Sequence, residues 1–108
     1  MASTPQFAEY VFEKLAHVGE MNYRRMFGSY GIYMDRKFIG LISEDQLFIK
    51  PTNAGRKMLT TPLEAPPFDG AKDWFLIEDL EDSAFLVRLL VATWEELPFL
   101  KAKKPKRR

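Results

Sequence analysis

The residues best suited to chemistry lie in one short stretch, Arg24-Arg25-Met26-Phe27-Gly28-Ser29-Tyr30-Gly31-Ile32-Tyr33-Met34-Asp35. It combines two adjacent arginines, two glycines and three aromatic residues. Nearby glycines can cradle a phosphate, but Gly-Ser-Tyr-Gly matches neither the P-loop nor the dinucleotide-binding spacing. Glycine also permits a positive φ angle or a β-bulge, and we expect a bend of this kind bracketed by Gly28 and Gly31.

Arg24 and Arg25 are adjacent, so on a strand their side chains point to opposite faces of the sheet. A forked guanidinium suits a DNA phosphate or a carboxylate of a partner protein. The simpler interpretation is that one arginine forms a structural ion pair with a carboxylate of this chain. Lys50, at the end of an apolar run, is a candidate for the same surface.

Aromatic residues are concentrated around this stretch and suggest a platform on which nucleic-acid bases stack. They are Tyr23, Phe27, Tyr30, Tyr33 and Phe38. Alternating aromatics on an antiparallel strand are also ordinary core residues and cross-strand pairs, which is the interpretation we prefer. No motif rich in basic and aromatic residues, such as that of RNA-binding sheets, accompanies them.

The sequence offers little for catalysis. Because it has no cysteine, disulfides, thiolate chemistry and cysteine-ligated metal centres are excluded. The single histidine, His17, lies near a predicted helix end, where a cation gains about 0.3–1 kcal/mol. The acidic run at residues 78–82 lacks the ligand pattern of a calcium loop and suits a helix N-terminus. We therefore expect no enzymatic activity, no cofactor and no metal site.

The net charge of +1 conceals an asymmetry between an acidic body and a basic tail. Residues 1–100 hold ten Lys or Arg against 15 Asp or Glu. The tail cations are Lys101, Lys103, Lys104, Lys106, Arg107 and Arg108. Such a tail binds nucleic-acid phosphates or an acidic partner, or it stays solvated. We predict one domain, residues 1–100, followed by a disordered basic tail, residues 101–108.

The expected location is the cytoplasm. The first residues lack the basic and long apolar regions of a signal peptide, and no apolar run reaches the ~18 residues that span a bilayer. The absence of cysteine agrees with a reducing compartment.

Three helices are predicted from apolar spacing, over residues 5–18, 53–61 and 82–97. Their caps and stops are Thr4, Gly19, Thr52, Asp82 or Ser83, and Pro98. The last helix is apolar on more than one face, which exceeds what one small sheet requires. We therefore predict a homodimer through that helix.

Short strands are predicted between and after the first two helices. The first four are Tyr23–Phe27, Tyr30–Met34, Lys37–Ser43 and Gln46–Lys50. Turns at Asp35-Arg36 and Glu44-Asp45 are so short that neighbouring strands must be antiparallel. A further strand at residues 74–77 has a predicted edge partner near residues 65–68, where prolines forbid a central position. The predicted fold is α+β, a two-layer antiparallel sheet with helices on one face, in the order α-β(3-4)-α-β(1-2)-α.

Residues Arg24 to Tyr33 closely resemble the "RRMFGGYGIY" signature of the amino-terminal domain of the bacterial competence regulators TfoX and Sxy. Ser29 replaces a third glycine of many relatives, and Leu47-Phe48-Ile49-Lys50 matches the family's "LYLK"-like ending. The resemblance covers about residues 7–97 and implies a fold like that of secretion chaperones.

The resemblance also implies a function, because TfoX and Sxy are transcriptional coregulators of DNA-uptake genes that act alongside the cyclic-AMP receptor protein. Full-length members add a carboxy-terminal helical domain, and this sequence stops before it. We therefore expect a non-enzymatic regulatory domain that binds a protein partner, with the transcription machinery as a candidate. The candidate partner-binding residues are Arg24, Arg25, Gly28, Tyr30, Gly31, Tyr33 and Lys50. The alternative is direct nucleic-acid binding by the basic tail, with Arg24, Arg25 or Lys50 assisting.

Overall fold

The structure, a computed structural model, describes residues 4–16, 18–26 and 28–98. His17, Phe27 and the basic residues 101–108 lie outside this part. The predictions of a helix-end cation and of a disordered tail therefore fall outside the described residues and stay predictions.

The described residues form three helices and one antiparallel sheet of six strands. The helices are α1 (Pro5–Leu15), α2 (Asn53–Leu59) and α3 (Ser83–Glu96). The strands are β1 (Met21–Met26), β2 (Ser29–Met34), β3 (Lys37–Ser43), β4 (Gln46–Ile49), β5 (Leu63–Ala65) and β6 (Trp74–Ile77). They lie side by side as β1-β2-β3-β4-β6-β5, so β6 separates β4 from β5. The predicted α+β class is confirmed.

Each helix begins at a residue whose side chain accepts a hydrogen bond from the backbone N–H three positions later. These N-caps are Thr4, Thr52 and Asp82, with donor–acceptor distances of 3.2, 3.0 and 3.0 Å. Such a bond satisfies an N–H that has no partner within the helix, and losing it costs about 0.5–2 kcal/mol. The predicted caps at Thr4 and Thr52 are confirmed, and Asp82 is the cap of the last helix.

Helix α1 ends at Leu15, earlier than predicted, so Gly19 is not its C-terminal stop. The glycine is explained by packing, because a Cβ at this position would lie only 2.9 Å from a carboxylate oxygen of Asp35. The same carboxylate accepts a hydrogen bond from the backbone N–H of Glu20 at 3.0 Å. Gly19 therefore allows the chain to pass close to the β2–β3 turn.

Two tight hairpins form at the predicted turns. Asp35 and Arg36 have φ angles of 45° and 71°, and Glu44 and Asp45 have 53° and 58°. Positive φ at both central residues is typical of the type I′ turn, whose twist matches that of paired strands. Both predicted turns are confirmed.

Alternate residues of the strands face the helices and form the core. We call this side the helix face. Its buried sheet residues include Ile32, Met34, Ile39, Ile42, Leu47, Ile49, Phe75 and Ile77. They pack against Val11 and Leu15 of α1 and Leu86, Leu89 and Leu90 of α3. We call the opposite side, which carries the intervening residues, the open face.

Strand β5 lies at the edge of the sheet, as the prolines predicted, but it begins two residues before the predicted position, at Leu63. Its partner is β6, with Ala65 opposite Trp74. After β5 the chain enters the segment Pro66–Asp69, which returns along the open face. Within the described residues, no helix is both long and apolar enough to cross a membrane.

Candidate functional site: the open face of the sheet

The two adjacent arginines lie on opposite faces, as predicted from strand geometry. Arg24 pairs with Gly31 and its guanidinium carbon is 5.9 Å from the ring centroid of Tyr33. Arg25 pairs with Tyr30 and lies 5.6 Å from that ring's centroid, on the helix-face side. Neither arginine forms an ion pair with a described residue, so the predicted structural ion pair is absent from this part of the chain.

Aromatic rings and cations form a row across the open face. The Tyr33 ring stacks on Phe38, with centroids 4.9 Å apart, and Phe38 meets Trp74 edge-on at 5.8 Å. Lys50 Nζ lies 4.8 Å from the Phe38 centroid and 5.9 Å from that of Trp74. With Arg24 over Tyr33, these five residues form what we call the aromatic row. It crosses five neighbouring strands, about 19 Å at the usual strand spacing.

Lys50 is half-buried on this row. Burial lowers the pKa of its ammonium group, because the charged form loses solvation. The rings of Phe38 and Trp74 offset part of this loss, since a cation over an aromatic face gains about 0.5–2 kcal/mol. No described carboxylate forms an ion pair with Lys50, so its charge is available to an anionic group from outside the domain.

A groove lies beside the aromatic row, between the sheet and the segment Pro66–Asp69. Its volume is about 800 Å³. It is lined by Ser29, Phe38, Leu41, Ser43, Glu44, Gln46, Phe48, Pro66, Pro67, Phe68, Asp69 and Trp74. Phe68 stands on the rim with 59% of its surface exposed, whereas Leu41 and Phe48 in the floor are buried. The groove is therefore apolar at its base, and its exposed edge carries both polar residues and Phe68.

The glycines of the signature have separate roles. Gly28 lies between β1 and β2 with a φ of 84°, so the predicted positive φ angle is found there. Gly31 is a buried residue in the middle of β2, opposite Arg24 and Leu41. The irregularity of pairing lies elsewhere, at Ile32/Tyr33 in the register of β2 with β3. Of the two glycines that were predicted to bracket a bend, only Gly28 lies in a turn, whereas Gly31 lies within the strand β2.

The aromatic residues divide between the two faces. Tyr23 stacks on Phe12 of α1 at 3.6 Å, and Tyr30 meets the same ring edge-on at 5.9 Å. Burial raises the pKa of Tyr23 to about 12. Tyr33 and Phe38 instead lie on the open face. The preferred interpretation is confirmed for these four residues: Tyr23 and Tyr30 pack against the core, and Tyr33 with Phe38 forms a stacked cross-strand pair between β2 and β3.

Four of the seven candidate residues therefore come together on the open face, namely Arg24, Gly31, Tyr33 and Lys50. Tyr30 and Arg25 lie on the other side, and Gly28 is in the adjoining turn. Sequence reasoning missed Trp74, Leu41 and Phe48. The available signal was the continuous apolar character of their strands, because a strand that is apolar at every position has both faces covered.

The acidic run before α3 has structural roles. Asp79 accepts a hydrogen bond from the backbone N–H of Glu81 at 3.0 Å, and Glu81 accepts one from the Tyr10 hydroxyl at 2.7 Å. Asp82 caps α3. Across residues 4–16, 18–26 and 28–98, no group of three histidine or acidic side chains is arranged to hold a metal ion.

The outer side of α3 carries the apolar residues that predicted a homodimer. Val91 is 37% exposed, and Val87 borders a shallow pocket of about 540 Å³ against Tyr10 and Lys14 of α1. The structure contains one copy of the chain, so dimerisation stays a prediction.

The fold and this face define a class: small two-layer α+β domains with helices on one side of an antiparallel sheet and an aromatic, cationic surface on the other. The family model of the TfoX N-terminal domain matches residues 13–96, from the second half of α1 to the end of α3. The chain belongs to the TfoX N-terminal domain family. At the level of the family, this membership supports a regulatory domain related to competence, and the family is not known as one of enzymes.

A curated relative extends the likeness to nearly the whole chain. It is the "Uncharacterized 12.7 kDa protein in trpE 5'region" of Spirochaeta aurantia, which is 33% identical over 107 residues. The match covers 98% of this chain and 93% of the relative. The two chains are therefore similar in length.

Proposed function

We propose that the chain is a non-enzymatic regulatory domain that binds a protein partner through the open face of its sheet. Family membership supports the regulatory class. The observation that carries the choice of surface is the aromatic row, in which Arg24 and Lys50 lie on aromatic rings without a carboxylate among the described residues.

The composition of this face supports a protein partner. An antiparallel sheet with a solvated face usually carries polar residues there. Here the face presents half-buried Tyr33, Phe38 and Trp74, with Phe68 exposed beside them. Aromatic residues and arginine are enriched in protein–protein interfaces, and contiguous apolar surface of this kind marks contact sites.

Direct nucleic-acid binding is the second candidate function. Arg24 and Lys50 share one face with stacked aromatic rings, an arrangement that single-strand-binding proteins also use. Arg25 lies on the opposite face and cannot contribute to the same surface. The tail cations would supply further phosphate contacts in this candidate function.

A photo-crosslinking experiment tests the proposed contact surface. Benzoylphenylalanine placed at Phe68, on the groove rim, is compared with the same residue at Lys57, which is exposed on α2. In bacterial cells that express the full chain, we expect a discrete polypeptide adduct at position 68 and not at position 57. A Tyr33→Ser/Lys50→Glu variant should lose the adduct. Equal labelling at both positions would contradict a partner on the open face.

A DNA titration tests the second candidate. Labelled duplex and single-stranded DNA are titrated over a salt series with the full chain and with a full-length variant whose six tail cations are replaced by glutamine. If binding requires the tail, weakens steeply with salt and does not depend on the DNA sequence, then the tail contributes only electrostatic contacts. Sequence-dependent binding by the tail variant would assign DNA recognition to the folded domain and reverse our order.

A further inference from the structure

The groove has the length and shape of a short extended segment. Its lining runs along β3 from Phe38 to Ser43, which is about 17 Å at the usual rise of a strand. An extended peptide rises by a similar amount per residue, so about five residues would fill the groove. The segment Pro66–Asp69 forms its side wall.

The interior of the groove selects bulky apolar side chains. Leu41 and Phe48 form its buried floor, and the rings of Phe38 and Trp74 close the end at the aromatic row. Pro67 and Phe68 belong to the segment Pro66–Asp69 and line the side wall. Walls of aromatic and proline residues suit apolar side chains of a ligand. A peptide that is already extended before binding also loses little conformational entropy when it binds.

Charges of both signs lie around the groove. Lys50 lies on Phe38 and Trp74 at one end, and the β3–β4 turn closes the other. Asp69 places a carboxylate on the side wall, and no lysine or arginine is among the described residues that line the groove. A polyanion along the groove would meet this carboxylate at close range. A segment with an acidic residue near Lys50 and a basic residue near Asp69 would be complementary to both charges.

We infer that this groove binds an extended peptide segment of mixed charge, about five residues long, with an acidic end, a basic end and bulky apolar side chains between them. The acidic end lies over Lys50, and the basic end lies beside Asp69. This inference rests on the proposed protein-binding function and names the chemistry of the partner.

Three fluorescent probes test the inference by anisotropy with the full chain. The first is a five-residue peptide with one aspartate, then Phe-Pro-Leu, then one lysine. The second has aspartates at both ends, and the third is a short oligothymidylate. We expect the mixed peptide to bind at least about fivefold more tightly than either of the others, since like charge is repelled at the Asp69 carboxylate.

Substitutions of Lys50 and Asp69 test whether the peptide binds in this groove. Lys50→Gln should weaken the mixed peptide by about fivefold, and Asp69→Lys should shift the preference toward the all-acidic peptide. The matched controls are Arg25→Gln on the opposite face and Lys57→Gln on α2, which should change the Kd by less than about twofold. If Lys50→Gln does not fold, as judged by thermal melting, Phe68→Ser on the exposed rim should give a similar loss.

Equal binding of all three probes would overturn the inference, as would a mixed-peptide Kd that neither Lys50→Gln nor Phe68→Ser changes. Tightest binding of oligothymidylate would assign the face to nucleic acid. The proposed function fails separately, when position 68 gives no polypeptide adduct. An adduct at position 68 together with charge-independent peptide binding would preserve that function and reject only the partner chemistry.

Discussion

The two faces of the sheet carry similar residues, aromatic rings and basic side chains, that have different roles. On the helix face, Phe75 and Ile32 have no exposed surface, and the buried Lys37 donates from Nζ to the backbone oxygen of Trp94 at 2.7 Å. On the open face, Lys50 and Arg24 rest on rings and have no carboxylate among the described residues. The buried Lys37 thus has an internal hydrogen-bond partner, whereas the charges of Lys50 and Arg24 face outward. Alternate residues of one strand should therefore separate stability from binding.

The strongest test of this contrast uses two neighbours on β6. Phe75→Ala removes a ring with no exposed surface from the helix face and should lower the free energy of unfolding by about 3–5 kcal/mol. Trp74→Ala, on the half-exposed open face, should cost clearly less, about 1–2 kcal/mol. Urea denaturation measures both. Equal losses would show that the open face is as much a part of the core as the helix face.

The tightness of the helix face is tested at Gly55 of α2. Alanine favours a helix by about 1 kcal/mol, but a Cβ here would lie 3.1 Å from the Phe75 ring and 3.3 Å from Leu89. It would also lie 2.9 Å from the capping oxygen of Thr52. We expect Gly55→Ala to lower the free energy of unfolding by about 1–3 kcal/mol. Lys57→Ala on the exposed side of α2 is the control, and a stabilised Gly55→Ala variant would refute close packing.

A smaller effect concerns the carboxylate that joins α3 to α2. Backbone N–H groups of Asn53 and Ala54 donate to Glu96 at 2.8 and 3.0 Å, which lowers its pKa from 4.5. A lowered pKa in the folded state contributes stability above pH 4.5 that is lost as the pH falls through the folded value. The urea midpoint of Glu96→Gln should therefore fall less between pH 6 and pH 3 than that of the wild type. An unchanged pH dependence would contradict the capping role.

The smallest effect is spectroscopic. Burial against Phe12 raises the pKa of Tyr23 to about 12, so its phenol should ionise late in an absorbance titration. Because the unfolded phenol ionises near 10, this group's contribution to stability is present below that pH and is lost as the pH rises toward 12. Tyr23→Phe should remove the late phase. Persistence of that phase in the variant would place the buried phenol elsewhere.

Local features of the fold could be predicted because neighbouring residues determine them. Thr4 and Thr52 are caps by side-chain chemistry, and the hairpins at Asp35-Arg36 and Glu44-Asp45 follow from short spacing between apolar strands. The opposite orientation of Arg24 and Arg25 follows from the twofold period of a strand. These predictions needed no knowledge of which strands are neighbours.

The rest of the site depends on long-range pairing. Lys50 and Trp74 meet only because β6 lies beside β4 rather than on the far side of β5. No local pattern specifies this order of strands. Lys50 could therefore be predicted as a surface residue, but its contact with the Trp74 ring could not. The position of Phe68 over the same surface also depends on β5, whose predicted range was displaced.

All three helices are held by residues far away in the sequence, and this has a consequence for synthesis. Asp45 accepts from the backbone N–H of Thr4 at 2.7 Å, Glu81 accepts from Tyr10, and Glu96 accepts from Asn53. Helix α2 has only seven residues, too few to be stable alone in water. During synthesis, the backbone N–H groups at the start of α2 can therefore form their hydrogen bonds with Glu96 only after residue 96 has emerged from the ribosome. The domain should therefore complete its folding late, after residue 96 has left the exit tunnel.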